Sequence, residues 1–406
     1  MNQYFLDGAS IDSVDLKCMV VSRGVKVDKG VYKRLANLCR LDKSPLCCNC
    51  FLLPDGTVVQ LTDMGFHLQY LTGMLSWDNL KLLRYASQLG TPFTLAMEGD
   101  TPALFHNGKL IDTVQFPDKT DFYRQRTAAG LPFAGNSVLQ GLDWVAFQCL
   151  WPCEYAAAGE PCEFCFSGAE FKNLASKKKP LPGAVSPGDV AEIVAYAVKH
   201  QGCSGLQITG GSTFNAANEA KHIERYLQAL REQELVFAGL REILLYITPP
   251  QDTGIIDSYF ELGATRVACS LEVWDKKLAA GITPGKIQFT TRKRHLDILE
   301  YVAQKYGHSN AFSNFIIGIE PLESLCQGAA YLAQRGILPS ASVWMPMGMP
   351  VQGTMQAPDV AYFQQTKEYF AELYIRHGLE PAAGHGLNVC IERDIWRYAY
   401  GDSKKA

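Results

Sequence analysis

Cys153, Cys162 and Cys165 stand at Cys-x8-Cys-x2-Cys spacing, with Cys149 four residues ahead of the first. A Cys-x2-Cys pair brings two thiolates to one metal centre across a turn. Cys153 can fold back over the bend at Gly159 and Pro161 to supply a third. Three thiolates on a four-iron cluster leave one iron without a protein ligand, and that open position admits a small chelating molecule. Cys149 is an alternative first ligand, and all four sulfurs together would suit a closed structural zinc site. Most other thiols read as packing: Cys18, Cys203, Cys269, Cys326 and Cys390 sit singly among apolar residues, where free cysteines are commonly buried. Cys47, Cys48 and Cys50 have only Cys39 as a fourth partner for a second metal, so they read as turn or buried residues.

The cysteine segment starts as a strand, Asp143–Gln148, and opens a pattern in which short apolar runs alternate with stretches of helical period. Five more strand candidates follow: Gly205–Thr209, Glu242–Thr248, Thr265–Leu271, Asn314–Ile319 and Ala341–Trp344. Amphipathic stretches lie between them near 188–200, 217–233, 254–262, 294–306 and 321–335, the first introduced by an Ser186-Pro187 cap with Asp189. Strands joined by helix-length crossovers pair in parallel with right-handed connections, so six units predict an α/β fold with a partial (β/α)6 TIM-type barrel over 136–350. Residues 1–135 lack this alternation and predict a small N-terminal α+β domain, with a hairpin over 51–61 turned at Asp55-Gly56. Residues 351–406 hold one helix, 358–377, and a Gly384-His385-Gly386 loop, a C-terminal extension that caps the barrel. Asn173–Gly188, with three lysines and three prolines, reads as an exposed loop.

With its Phe164 before the last cysteine, the loop resembles the cluster loop of radical S-adenosylmethionine (SAM) enzymes, although the common first spacing is Cys-x3-Cys. The likeness extends over about 240 residues and is nearest to biotin-synthase-like and hydrogenase-maturase-like members. It implies that Cys153, Cys162 and Cys165 hold a [4Fe-4S] cluster, and that Thr209-Gly210-Gly211 forms the glycine motif approached by the SAM amino group. Ser212 stands where the family commonly has Glu. Ser270 and Glu272 fall in the segment that binds the SAM ribose, and Arg294 or Arg292 would pair with the SAM carboxylate, which suits a bidentate guanidinium. Ile316 and Gly318 would pack against adenine, while Trp344 and the methionines after it would line a core or lid. Tyr246, Thr248, Ser270, Trp344 and His385 are candidates for the barrel lumen.

The resemblance predicts an enzyme that cleaves SAM reductively to a 5′-deoxyadenosyl radical, which abstracts hydrogen from a small molecule in metabolite or cofactor biosynthesis. Its reductant would be a one-electron donor such as flavodoxin or ferredoxin. The alternative is a non-catalytic zinc- or iron-sulfur-binding scaffold or maturation protein. Asp63-Met64-Gly65-Phe66-His67 has the wrong spacing for a cobalamin motif, and no C-terminal cysteine cluster suggests an auxiliary centre. The 406 residues are 47% hydrophobic and 19% charged with a net charge of -3, ordinary for a globular chain. The basic runs Lys177–Lys179 and Arg292–Arg294 are short, which argues against nucleic acid as a partner. No membrane span or leader pattern is evident and thirteen cysteines do not suggest a disulfide framework, so the chain reads as cytoplasmic.

Overall fold

The computed structural model describes residues 1–38, 50–61, 90–117, 119–150, 153–165, 185–345 and 357–401. The expectations for Cys39, Cys47, Cys48, Asp63–His67, Lys177–Lys179 and most of the 173–188 loop fall outside them. A hairpin of β1 (Gln3–Leu6) and β2 (Ala9–Asp12) runs directly into α1 (Ser13–Arg23). Asp12 caps α1 by accepting from the backbone of Val14 and Asp15, and the Asp15 carboxylate accepts in return from the Asp12 backbone, a closed capping box. Nearly every residue of α1 is buried, charged ones included. Lys17 meets the Leu387 and Cys390 carbonyls and the Asp394 carboxylate, at 2.9, 2.7 and 2.7 Å. Lys367 pairs with Asp12 and Asp15 at 2.6 and 2.8 Å. Buried charges persist only when paired and hydrogen-bonded, so these contacts tie α1 to the C-terminal part of the chain.

After β3 (Lys26–Val27) and α2 (Lys29–Leu38), the hairpin foreseen around Asp55-Gly56 forms from β4 (Cys50–Leu52) and β5 (Val58–Gln60). β6 (Phe93–Glu98), β7 (Thr101–His106) and β8 (Lys109–Thr113) build an antiparallel meander whose first strand pairs with β3. One hydrophobic cluster runs from Ile11 in this region through the barrel to Trp396.

The short α3 (Thr120–Tyr123) leads to β9 (Val138–Gln140), the antiparallel edge of a seven-stranded mixed sheet. The other six strands are parallel and lie side by side in chain order: β10 (Trp144–Leu150), β11 (Gly205–Gly210), β12 (Glu242–Tyr246), β13 (Arg266–Ala268), β14 (Ala311–Ile317) and β15 (Leu338–Val343). The curled sheet is a half-barrel, the partial TIM-type fold expected from the alternation. Its crossovers carry α4 (Glu154–Ala157), α5 (Pro187–Gln201), α6 (Ala216–Arg231), α7 (Glu234–Gly239), α8 (Gly254–Glu261), α9 (Lys276–Ile282), a π-helical turn (Lys286–Thr290), α10 (Arg292–Tyr306) and α11 (Leu322–Ala333). Ser186 caps α5 by accepting from Asp189, with Pro187 in the first turn and Gly202 left-handed at the end. After α12 (Val360–His377) the tail holds a second helix, α13 (Glu392–Tyr400), a correction to the single helix expected there.

Alternation sorts the strand residues. Leu206 and Ile208 are fully buried under the helices, which leaves Gln207 and Thr209 facing the lumen. The same reasoning turns Tyr246 and Phe312, whose rings meet at 5.3 Å, inward. The lower end of the lumen is closed by the tail. Glu242 and Arg266 pair at 3.1 Å there, and the Ala383 backbone and the Glu380 carbonyl bond to them. Residues 389–391 then pair antiparallel with β15 through Val389, Cys390 and Ile391. Asn388 reaches the opposite edge, where its side chain accepts from Gly141 at 2.8 Å. Among the described residues, no helix is long and apolar enough to cross a membrane.

Candidate functional site

The chain leaves β10 into the cysteine loop, and Cys153 is the residue before α4. Two contacts pin it to the end of β11. The Ser212 backbone N–H donates to the Cys153 sulfur at 3.4 Å, and Ser212 accepts from the Glu154 backbone at 2.9 Å. A Cβ on Gly211 would lie 2.3 Å from the Cys153 Cα, so only glycine permits this approach. Glu154 closes the corner by accepting from the Thr213 hydroxyl and the Phe214 backbone, at 2.9 and 2.5 Å.

Cys162 and Cys165 flank one turn, with the Cys165 N–H donating to the Cys162 carbonyl at 3.0 Å. The turn docks on α9 through Glu163 to Ile282, and Phe164 packs against the small cluster of Val273, Ala279 and Ile282. Gly285 fits under the loop because a Cβ there would lie 2.7 Å from the Glu160 carbonyl. Tyr155, Phe214 and Phe289 form an aromatic triangle beside it, with centroids 4.8–5.6 Å apart. The three cysteines thus sit where parallel strands end, the usual site position in such barrels.

No protein-family model matches the chain. It is 23% identical over 300 residues to the bacteriochlorophyllide c C-7(1)-hydroxylase of Chlorobaculum limnaeum, spanning 71% of this chain and 73% of that protein. Among solved structures, a radical SAM methyltransferase from Sphaerobacter thermophilus aligns with TM-score 0.40 and 14% identity, over 77% of this chain and 86% of that one. Methylornithine synthase aligns with TM-score 0.38 and 12% identity, over 65% and 77%.

The donor set of this chain, three thiols at Cys153, Cys162 and Cys165, fits a cluster with an open iron. Burial raises the Cys162 thiol pKa; Lys286 opposes that rise, and Cys165, Glu272 and Cys153 add to it, so the Cys162 sulfur lies within electrostatic reach of both other thiols. Among the described residues no three Cys, His, Asp or Glu side chains close on a single ion, whereas a four-iron cluster spreads its thiolates over separate irons. Cys149 is buried in the hydrophobic core, on the strand face covered by Tyr226 and Tyr259. It stands apart from the face that carries Cys153 to β11. Cys18, Cys203, Cys269 and Cys390 are buried as expected, while Cys326 is only partly so.

Glu272 follows β13 with φ of 69°, a conformation costly for a non-glycine residue and held by two backbone bonds to β14, to Asn314 and from Ile316, each 3.0 Å. Its carboxylate accepts from Lys286 at 2.9 Å and from the Asn314 amide at 3.3 Å. Lys286 also donates to the Ser270 carbonyl at 2.7 Å. Burial works to lower the Lys286 pKa, but Glu272 and the thiols of Cys162 and Cys165 carry it above the ordinary lysine value. Lys286 is the site residue that sequence reasoning missed. Its signal was weak: one lysine after Thr-Pro-Gly, in a turn that proves to be π-helical, a form common at functional sites.

Of the two arginines, Arg292 is engaged: it lies 3.7 Å over the Trp274 ring and donates to the Trp274 carbonyl at 2.7 Å. Arg294 is half-buried, and its guanidinium has no partner among the described residues. Thr209, Gly210, Ile316 and Gly318 retain accessible surface at the strand ends. Thr248 accepts from the Thr213 backbone at 3.2 Å, and Ser270 from Asn314 at 3.3 Å. His385 lies elsewhere, beside Asp143 at 3.4 Å, before β10 begins and at the opposite end from the cysteines.

Proposed function

We propose that this chain is a radical SAM enzyme that carries a [4Fe-4S] cluster on Cys153, Cys162 and Cys165 and abstracts hydrogen from a small-molecule substrate in metabolite or cofactor biosynthesis. The observation that supports this reading best is the seating of Cys153 against Gly211 and Ser212, which joins the first thiol to the strand end where SAM is expected. When bound, the cluster and SAM supply a 5′-deoxyadenosyl radical, with the electron drawn from a flavodoxin- or ferredoxin-like donor.

The chain's own groups divide the remaining work. The Gly210-Gly211 backbone at the end of β11 is assigned the SAM amino group, and Glu272, held by Lys286 and Asn314, offers a carboxylate oxygen to ribose hydroxyls. Arg294, with its guanidinium uncommitted, is assigned the SAM carboxylate. Ile316 and Gly318 flank adenine, with Phe164, Thr209 and Ser270 completing the walls. The lumen below, closed by the tail, keeps water from a reactive carbon radical.

Anaerobic reconstitution with iron and sulfide tests the assignment. The expected result is visible iron-sulfur absorption and release of 5′-deoxyadenosine from SAM under reduction. Iron loss with Cys149→Ala but not with Cys153→Ala would reassign the first ligand. Tightly held zinc in a colourless, inactive protein would sink the reading.

A further inference from the structure

Three polar atoms on lumen-facing residues are buried and have no hydrogen-bond partner among the described residues: Gln207 Oε1, Trp344 Nε1 and Glu392 Oε2. Polar atoms buried without a partner are costly and few in native folds, and each calls for a group that satisfies it. Gln207 faces inward by the alternation of β11. Trp344 continues β15, with its N–H bonded to Ile317 at 3.0 Å, and it belongs to neither hydrophobic cluster. Glu392 follows the tail segment paired to β15, keeps part of its surface accessible, and interacts with Ser340 and with Tyr246.

From Glu392 a polar line climbs the lumen. Ser340 donates to the Asn314 side-chain oxygen at 3.3 Å, and the Asn314 amide donates to Glu272 at 3.3 Å. An apolar substrate would leave the three orphan atoms unpaired. Two of the orphans are acceptors and one of those is a carboxyl, so the complementary group is rich in N–H donors.

We infer that the lumen binds a substrate bearing an amine or amidine nitrogen, anchored by Glu392 and Gln207, with its far end directed up toward Glu272. This inference rests on the reading above and adds a substrate class to it. Burial lifts the Glu392 carboxyl to about 7, and a cationic nitrogen beside it would draw it back to the charged form.

The test uses the full reconstituted chain and acetamidinium chloride as probe, followed by calorimetry and by the shift in unfolding temperature, with sodium chloride as control. Saturable binding is expected, weakened at least about tenfold by Glu392→Gln, the loss of one charge-assisted hydrogen bond. Gln207→Leu, which removes an orphan atom, is expected to weaken the probe while raising the ligand-free unfolding temperature. No saturable binding, equal affinity in both variants, or binding of glycerol in preference to acetamidinium would overturn the inference. Release of 5′-deoxyadenosine is measured on the same sample. Turnover of SAM without probe binding sinks this inference alone, and probe binding without turnover sinks the cluster reading alone.

Discussion

Gly211 touches Cys153 so closely that a single added methyl would lie 2.3 Å from the Cys153 Cα. The contact is backbone to backbone, so neither partner can rotate away, and Gly211→Ala must displace the cysteine. The local strain is on the order of 1–3 kcal/mol. Most of the iron per chain should be lost on reconstitution, while the far-ultraviolet circular dichroism stays unchanged. Wild-type iron content in that variant would show that Cys153 is not positioned by this contact.

Lys286 and Glu272 form a buried pair at 2.9 Å, and removing either partner strands the other. Glu272→Gln and Lys286→Met are each expected to cost about 3–5 kcal/mol of stability, and the double variant clearly less than the sum of the two. Chemical denaturation of the cycle measures the coupling. Strict additivity would mean that the two side chains do not depend on each other.

Lys17 is fully buried and is held by Asp394 and two tail carbonyls. Lys17→Met leaves the Asp394 carboxylate without its counter-charge and should destabilise the fold by about 3–5 kcal/mol. Adding Asp394→Asn should recover part of that loss in urea unfolding. A neutral Lys17→Met would show that the tail docks by apolar contacts alone.

Burial lifts the Glu219 carboxyl from its ordinary 4.5 to about 8. A carboxyl with a raised folded-state pKa keeps its proton in the fold where the unfolded chain has released it. Its stabilising contribution is therefore whole below the unfolded value and is lost as pH rises through the folded one. Unfolding free energy should fall between about pH 4.5 and 8, by on the order of 3–5 kcal/mol from this group. Glu219→Gln should flatten that slope, and an unchanged slope would place the titration elsewhere.

Most of the barrel was legible because its strands and helices obey different periods. β14 reads as a strand near 314–319 and is found at Ala311–Ile317, ending before Gly318, whose φ of 103° turns the chain. The cysteine loop stood out by its spacing, while the burial of Cys149 in the core, on the face away from Cys153, emerges only from strand alternation. The tail was harder. Nothing in the local pattern of Arg393 and Asp394 signals burial, and the Asp394 carboxylate finds its partner in Lys17, far away in sequence. Arg292 and Arg294 are equivalent on paper. Trp274 distinguishes them by stacking on one, a long-range contact that local pattern does not record.

The half-barrel receives its lower wall from residues 380–391, which the ribosome makes after all six parallel strands. A nascent chain halted beyond β15 would carry a complete cysteine loop and an open-bottomed barrel, with Glu242 and Arg266 exposed to bulk water. Sealing of the interior can therefore come only after the six parallel strands have been made.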